Sequence, residues 1–215
     1  MYLTRMKLDT NRRSTMIALA SPNKFHGAIE SSFPGNRARR LWRIDTLRGD
    51  TYLMLLSDTP PNLVNVYAQF GSLMEEAYWE TKDYTLLLNK ISENTKWHFH
   101  LTACPVRSIC RGDSLHKFRG KVSAHITVDQ QKAWLVSRAE KNGFSLYESD
   151  FDIVNRGINR FYKGNDRENQ VTLSSVTYEG ILTVQDVEKF KYLLIHGIGK
   201  GKAYGLGMMT IIRYE

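Results

Sequence analysis

The spacing of apolar residues switches between a period of two and a period near 3.6 in the same order twice along this chain, and that order constrains the fold more than any other feature. In the first half "YLTRMKL" (2–8) alternates as a strand. Ser21-Pro22 reads as an N-cap followed by proline at the first helical position, opening a helix through about Phe33 that Pro34-Gly35 ends. "RRLWRIDTL" and "DTYLMLLS" are strands joined by the turn signal Arg48-Gly49-Asp50. "NLVNVYAQF" then sets Leu63, Val66, Tyr67 and Phe70 at helical spacing before Gly71, and "AYWETKDYTLLL" supplies a closing strand.

The second half repeats the order. "KWHFHLTACPV" is a strand, "VDQQKAWLVSRAEKNG" a helix stopped by Gly143, and "FSLYESDFDIV" and "VTLSSVTYEGILTV" are long strands. The helix "QDVEKFKYLLIHG" and the strand "GMMTIIRY" complete it, and the polar stretch 107–125 reads as a loop. Two consecutive βαββαβ units predict an α+β chain of two tandem ferredoxin-like domains, residues 1–92 and 93–215, each an antiparallel sheet covered on one face by two helices. The halves share element order and no residue-level repeat.

With 215 residues the chain can bury two small cores. Thirty Lys and Arg against 22 Asp and Glu leave a net charge of +8, which favours a polyanionic partner through counterion release. Two cysteines, Cys104 and Cys110, are too few for a disulfide scaffold or a four-cysteine zinc site and suit a reducing compartment. The N-terminus lacks the apolar stretch of a signal peptide, and no apolar run reaches the roughly 18 residues of a membrane span. The expectation is a cytoplasmic protein without a membrane partner.

Phe25, Ile29 and Phe33 form the apolar stripe of the first predicted helix and leave His26 about 100° round from it, off the buried face. Glu30 lies one turn on, so a surface His/Glu contact competes with a chemical role. Arg37, Arg39 and Arg40 follow the helix and can hold phosphates near its flank. A histidine beside guanidinium groups is the minimum set for cleaving RNA without a metal: one group relieves the 2′-hydroxyl of its proton, one protonates the leaving 5′-oxygen, and cations offset the charge on phosphorus. In "GIGKGKAYGLG" five glycines surround Lys200 and Lys202. This run fails both the dinucleotide and the P-loop patterns and exposes backbone N–H groups to a phosphate chain, with Gly199 and Gly201 flanking Lys200. "NRGINRFYKGNDREN" (155–169) interleaves Arg156, Arg160 and Lys163 with Phe161 and Tyr162 on an expected hairpin tip suited to gripping a duplex. His98 and His100 share a strand face, but no further ligand stands at a spacing that completes a site, so neither metal nor cofactor is expected. No nucleophile elbow is present.

"HGAIESSF", "RRLWRID", "YEGILTVQD" and the closing "GIGKGKAYGLGMM" resemble, in the same order and nearly end to end, the CasE proteins, the CRISPR repeat-RNA endoribonucleases of subtype I-E systems. The resemblance implies tandem ferredoxin-like domains of the RAMP superfamily and cleavage of precursor CRISPR RNA at the 3′ base of each repeat hairpin. The implied chemistry is metal-independent attack by the 2′-hydroxyl, leaving a 2′,3′-cyclic phosphate and a 5′-hydroxyl. It further implies that the product is retained with other Cascade subunits, the chain being monomeric outside that complex. By position His26 matches the family's catalytic histidine, the loop with Lys200 and Lys202 its RNA-facing loop, and Arg156 and Arg160 the segment that contacts the hairpin. Members often carry a tyrosine three residues before the histidine, where this chain has Asn23, which cannot act as a base near neutral pH. Either His26 carries more of the proton transfer or Lys24 assists. "HLTACPV" also departs from the family's Arg and Asn-Pro, at Thr102 and Cys104. The leading expectation is therefore an endoribonuclease. The alternatives are a hairpin-binding subunit without catalysis and a basic protein that binds RNA non-specifically.

Overall fold

The structure is a computed structural model that describes residues 1–33, 40–74, 76–109, 121–162 and 169–214. Its first sheet has four antiparallel strands: β1 (Tyr2–Leu8), β2 (Leu41–Leu47), β3 (Asp50–Ser57) and β4 (Glu80–Asp83), in spatial order β2-β3-β1-β4. Three helices cover it: α1 (Arg13–Ala20), α2 (Asn23–Ser31) and α3 (Val64–Phe70). Between sheet and helices lie Met6, Leu8, Phe25, Ile29, Leu53, Leu55, Val66 and Phe70, all nearly inaccessible to solvent. The β2–β3 hairpin closes through Arg48 and Gly49 with φ of 54° and 88°, the paired left-handed conformation of a tight two-residue turn.

In this first half two elements differ from the sequence expectation. Helix α1 was not expected, because it buries only Thr15 and Ala18 and leaves Met16 and Ile17 in solvent, so no apolar stripe announces it. Polar bonds dock its start on the end of α3: Arg12 Nη1 donates to the Gly71 carbonyl (2.8 Å), Ser14 Oγ to Gln69 (2.6 Å) and Thr15 Oγ1 to Phe70 (3.1 Å). These carbonyls belong to the group that a helix C-terminus leaves without intrahelical partners. The expected closing strand "AYWETKDYTLLL" shrinks to β4 followed by the helical turn α4 (Thr85–Leu88). Asp83 Oδ1 accepts the Thr85 N–H at 2.8 Å and turns the chain there.

The second sheet contains β5 (Lys96–Ala103), β8 (Phe144–Ser145), β9 (Phe151–Tyr162), β10 (Gln170–Val184) and β11 (Met209–Arg213). Its order is β11-β5-β10-β8, with β9 continuing the β8 edge along β10. Helices α5 (Val128–Ala139) and α6 (Val187–His196) pack on one face over Trp97, Phe99, Leu101, Leu135, Phe144, Tyr178, Phe190 and Leu194. The expected strand "FSLYESDFDIV" is thus two strands, parted by a turn in which Asp150 and Tyr147 exchange bonds of 3.0 Å. The stretch expected as a loop at 107–125 starts and ends in a paired ribbon, β6 (Val106–Ile109) with β7 (Lys121–Ala124). Both sheets have the strand order and antiparallel pairing of the ferredoxin-like fold, in tandem.

Arg43 joins the sheets. It lies on β2 at 3% exposure and spends all five N–H donors. Nε and Nη2 hold Asp45 as a fork (2.6 and 2.7 Å), Nη1 bonds the carbonyls of His100 (3.1 Å) and Met208 (2.8 Å), and Nη2 reaches Thr210 Oγ1 (3.0 Å). Leu41, Leu56, Tyr84, Leu88 and Ile91 from the first half bury their side chains in the second core, so the junction is apolar around this clamp.

Candidate active site

Helix α2 presents His26 as its sequence dictates. Phe25 and Ile29 are each 1% exposed, and Phe25 stacks obliquely on Phe70 and Trp42 at 4.7 and 5.7 Å between ring centres. This seating turns His26 to the flank, half-buried, and among the described residues neither imidazole nitrogen makes a hydrogen bond or ion pair. Glu30 pairs with Arg40 at 3.7 Å, not with His26. Arg40 lies over the Phe33 ring at 3.9 Å with its side chain 6% exposed, so its guanidinium faces the protein instead of the solvent that phosphates would share.

The helical rise separates the two residues considered as helpers. Asn23, three positions before His26, lies about 60° from it on the same flank, whereas Lys24 stands about 160° away. Lys24 opens onto a hollow that Asn23 also lines, with Ser14, Ile17 and Gln69, and His26 is not among its lining residues. The Asn23 side-chain oxygen is buried and accepts no hydrogen bond among the described residues.

The glycine run forms the opposite wall. A 3-10 turn at Lys202–Tyr204 packs directly on α2 and β2. All five glycines of the run have positive φ, and two shape the wall: a Cβ on Gly205 would stand 2.8 Å from the Trp42 ring, and one on Gly207 2.2 Å from the Ile198 carbonyl oxygen. The glycines therefore serve close packing as well as exposure. The Gly207 N–H donates to Thr102 (2.7 Å), and Cys104 bridges to Lys200, so the end of β5 supports the loop. Burial pushes the Cys104 thiol up and keeps it neutral. At the apex Gly199 and Lys200 are exposed, while Gly201 and Lys202 are half-buried nearer α2.

Strand β9 closes the third side, by residues other than those expected. The segment taken as a hairpin tip is strand as far as Tyr162, so Arg156 and Arg160 share one face and Asn159 and Phe161 the other. Phe161 packs edge-on against Tyr204 of the glycine loop at 5.0 Å between ring centres. Arg156 bonds the Ile126 carbonyl and Arg160 is exposed on the same side, so the two arginines turn away from the wall that Phe161 builds. Trp42, Asn159, Ser175 and Tyr204 were missed by sequence reasoning. Period-two counting back from Phe161 finds Asn159 once β9 is known to be a strand, but nothing local marks Trp42 or Ser175. Arg37, Arg39 and Lys163 lie outside the described residues.

The two strand histidines have a different use. His100 Nδ1 meets Glu179 Oε1 at 2.7 Å and Nε2 stands 3.8 Å from Asp45, tying it to the Arg43 clamp, and the His98 ring packs on Tyr214. No cluster of three or more His, Cys, Asp or Glu side chains suited to a metal ion occurs among the described residues. No helix among them is long and apolar enough to cross a membrane.

Comparison with known proteins finds relatives that match nearly the whole chain. CRISPR-associated endoribonuclease Cse3 of Thermus thermophilus is 26% identical, the match covering 98% of this chain and 99% of that one. The structure of Thermus thermophilus Cse3 bound to an RNA representing a pre-cleavage complex superposes with a TM-score of 0.78 at 25% identity, covering 98% of each chain. The CRISPR-associated protein Cas6e of Escherichia coli K-12 shares the fold, with a TM-score of 0.64 at 19% identity over the full length of both. A family model described as CRISPR associated protein matches residues 1–213, and the chain belongs to that family.

Proposed function

We propose that this protein is an endoribonuclease that cuts precursor CRISPR RNA within its repeat hairpins and keeps the product as a Cascade subunit in the cytoplasm. The observation that carries the reading is the end-to-end match to an endoribonuclease of this family, together with a half-buried imidazole on α2, the helix against which the glycine loop packs. We assign the histidine to an N-terminal unit of residues 1–92 and the glycine loop to a C-terminal unit of residues 93–215, because the chain passes between sheets from Asp83 to Lys96.

In the proposed reaction the ribose 2′-oxygen attacks the adjacent phosphorus while the bond from phosphorus to the 5′-oxygen breaks. The 2′-hydroxyl loses its proton, the departing 5′-oxygen gains one, and the products are a 2′,3′-cyclic phosphate and a 5′-hydroxyl. His26 supplies the imidazole on this flank, the side-chain type that most often serves as a general acid or base. Asn23 can orient a hydroxyl through its amide without taking its proton. Lys200 and Lys202 supply positive charge near the phosphates, and the metal-independence expected from the family is part of the proposal. A hairpin carrying a single 2′-deoxy substitution at the cut site tests the chemistry: it is expected to bind as tightly as the all-ribose hairpin and remain intact. Cutting of that substrate would rule out 2′-hydroxyl attack. Tight binding of the all-ribose hairpin without any product would instead favour the non-catalytic subunit.

A further inference from the structure

The β6–β7 ribbon and helix α5 bring three basic side chains to one place. Arg107 stands opposite Ser123, and the His125 N–H donates to the Pro105 carbonyl at 2.9 Å, so Arg107 and His125 are diagonal neighbours on one face of the ribbon, about 7–8 Å apart. Gln131 ties α5 to this point by donating to the His125 carbonyl at 2.9 Å. Arg138 lies two turns further along the same flank of the helix, and its guanidinium carbon sits 4.3 Å over the Trp134 ring.

The positive charge here is unmatched. Arg138 commits only Nη1, in two long bonds of 3.3 Å to the Trp134 carbonyl and Ser137 Oγ, which leaves Nε and Nη2 without an acceptor among the described residues. Among those residues no Asp or Glu forms an ion pair with Arg107, His125 or Arg138, whereas Lys132 on the same helix is paired with Asp152 at 3.1 Å. Burial, with the charges of Arg107 and Arg138, holds the His125 imidazole below its ordinary value, and burial lowers the Arg138 guanidinium as well. Both directions are those of cationic groups short of an anion. A half-buried guanidinium with uncommitted donors is suited to phosphate oxygens.

The surroundings choose the anion. The Trp134 ring that carries Arg138 also backs the apex of the glycine loop, since a Cβ on Gly199 would stand 3.1 Å from it. Lys200, beside that glycine, bridges to Cys104, three residues before Arg107. A basic strip therefore continues from Lys200 to Arg107 and Arg138, at the other end of the glycine run from Lys202–Tyr204, which packs on α2. A chain of phosphates lying on the loop meets this strip; a single carboxylate on a protein partner has no such continuity.

We propose that Arg107, His125 and Arg138 form a seat for a backbone phosphate of the bound RNA, apart from the place where the strand is cut, that holds the RNA without reading its bases. The inference rests on the RNA reading above and adds a contact that serves retention and not chemistry.

The test uses the whole protein and repeat-hairpin RNAs, uncut and already cut, with binding measured over a series of salt concentrations and single-turnover cleavage at saturating protein. Arg107→Ala and Arg138→Gln are each expected to weaken binding about tenfold and to lower the slope of log affinity against log salt by about one. The loss should be the same for uncut and cut RNA and for hairpins of different sequence, and the saturated cleavage rate should stay within about twofold of wild type. Should Arg138→Gln fail to fold, the exposed Arg107 carries the comparison alone. Unchanged salt slopes, a loss confined to one hairpin sequence, or slower cleavage at saturation would overturn the inference. Wild type that binds hairpins with these slopes but cuts none would overturn the cleavage reading and leave the seat standing; wild type that binds no hairpin would overturn both.

Discussion

His26 owes its place to its neighbours: Phe25 and Ile29 go into the core, and the helix carries the imidazole round to the flank. The same geometry ranks the residues beside it. Lys24, on the far side of α2, can add charge for RNA but cannot reach a proton at His26, so Lys24→Ala is expected to weaken binding and leave the cleavage rate of bound RNA unchanged. Asn23→Ala removes at most one orienting hydrogen bond and is expected to slow single-turnover cleavage by about fivefold to tenfold. A loss near that of a missing general acid or base, about 100-fold or more, would show that Asn23 does more than orient. The stripe that turns His26 outward was legible in the sequence as i, i+4, i+8 spacing. The inward turn of Arg40 onto Phe33 and Glu30 was not, because a charged residue next to a turn carries no local sign of burial.

At the scale of elements, what could be read was whatever buries a regular apolar face: β1, β2, β3, α2, α3, β5, α5, β10, α6 and β11, whereas β9, exposed along most of its length, was legible only at its start. What could not be read was held by polar bonds. Helix α1 docks through three side chains onto carbonyls, and β4 ends where Asp83 captures the Thr85 N–H. The hydrogen bonds from Thr85 hold the Asp83 carboxyl below its usual value of 3.8. A depressed folded-state value means that the ionised form stabilises the fold above the unfolded value, and that this contribution fades as pH falls through the lowered folded value. Asp83→Asn is therefore expected to lower Tm at neutral pH, and the gap to wild type should narrow as pH falls below 3.8; a gap that does not narrow there would contradict the assignment. The glycine loop makes a separate prediction. Gly205 has φ of 79° with the Trp42 ring where a Cβ would stand, so Gly205→Ala should cost about 1–3 kcal/mol in denaturant unfolding and weaken RNA binding by displacing the loop.

For the whole molecule, the tandem of sheets follows from element order, but their junction does not. Arg43 reads in sequence as a polar position in a half-exposed strand, yet it is the buried clamp between β2, β5 and β11. Arg43→Met would leave the Asp45 carboxylate, two carbonyls and a hydroxyl without their donors. We expect a loss of about 3–5 kcal/mol, seen as a lower urea midpoint. The clamp also sets α2 and the glycine loop across one cleft, so a change there should disturb cleavage even though it touches no RNA. The most direct test of the account is single-turnover cleavage of the repeat hairpin in EDTA by wild type and His26→Ala at equal protein excess. The account predicts cutting by wild type and a rate about 100- to 10,000-fold lower in the variant, with hairpin affinity retained. Equal rates for the two proteins would contradict it.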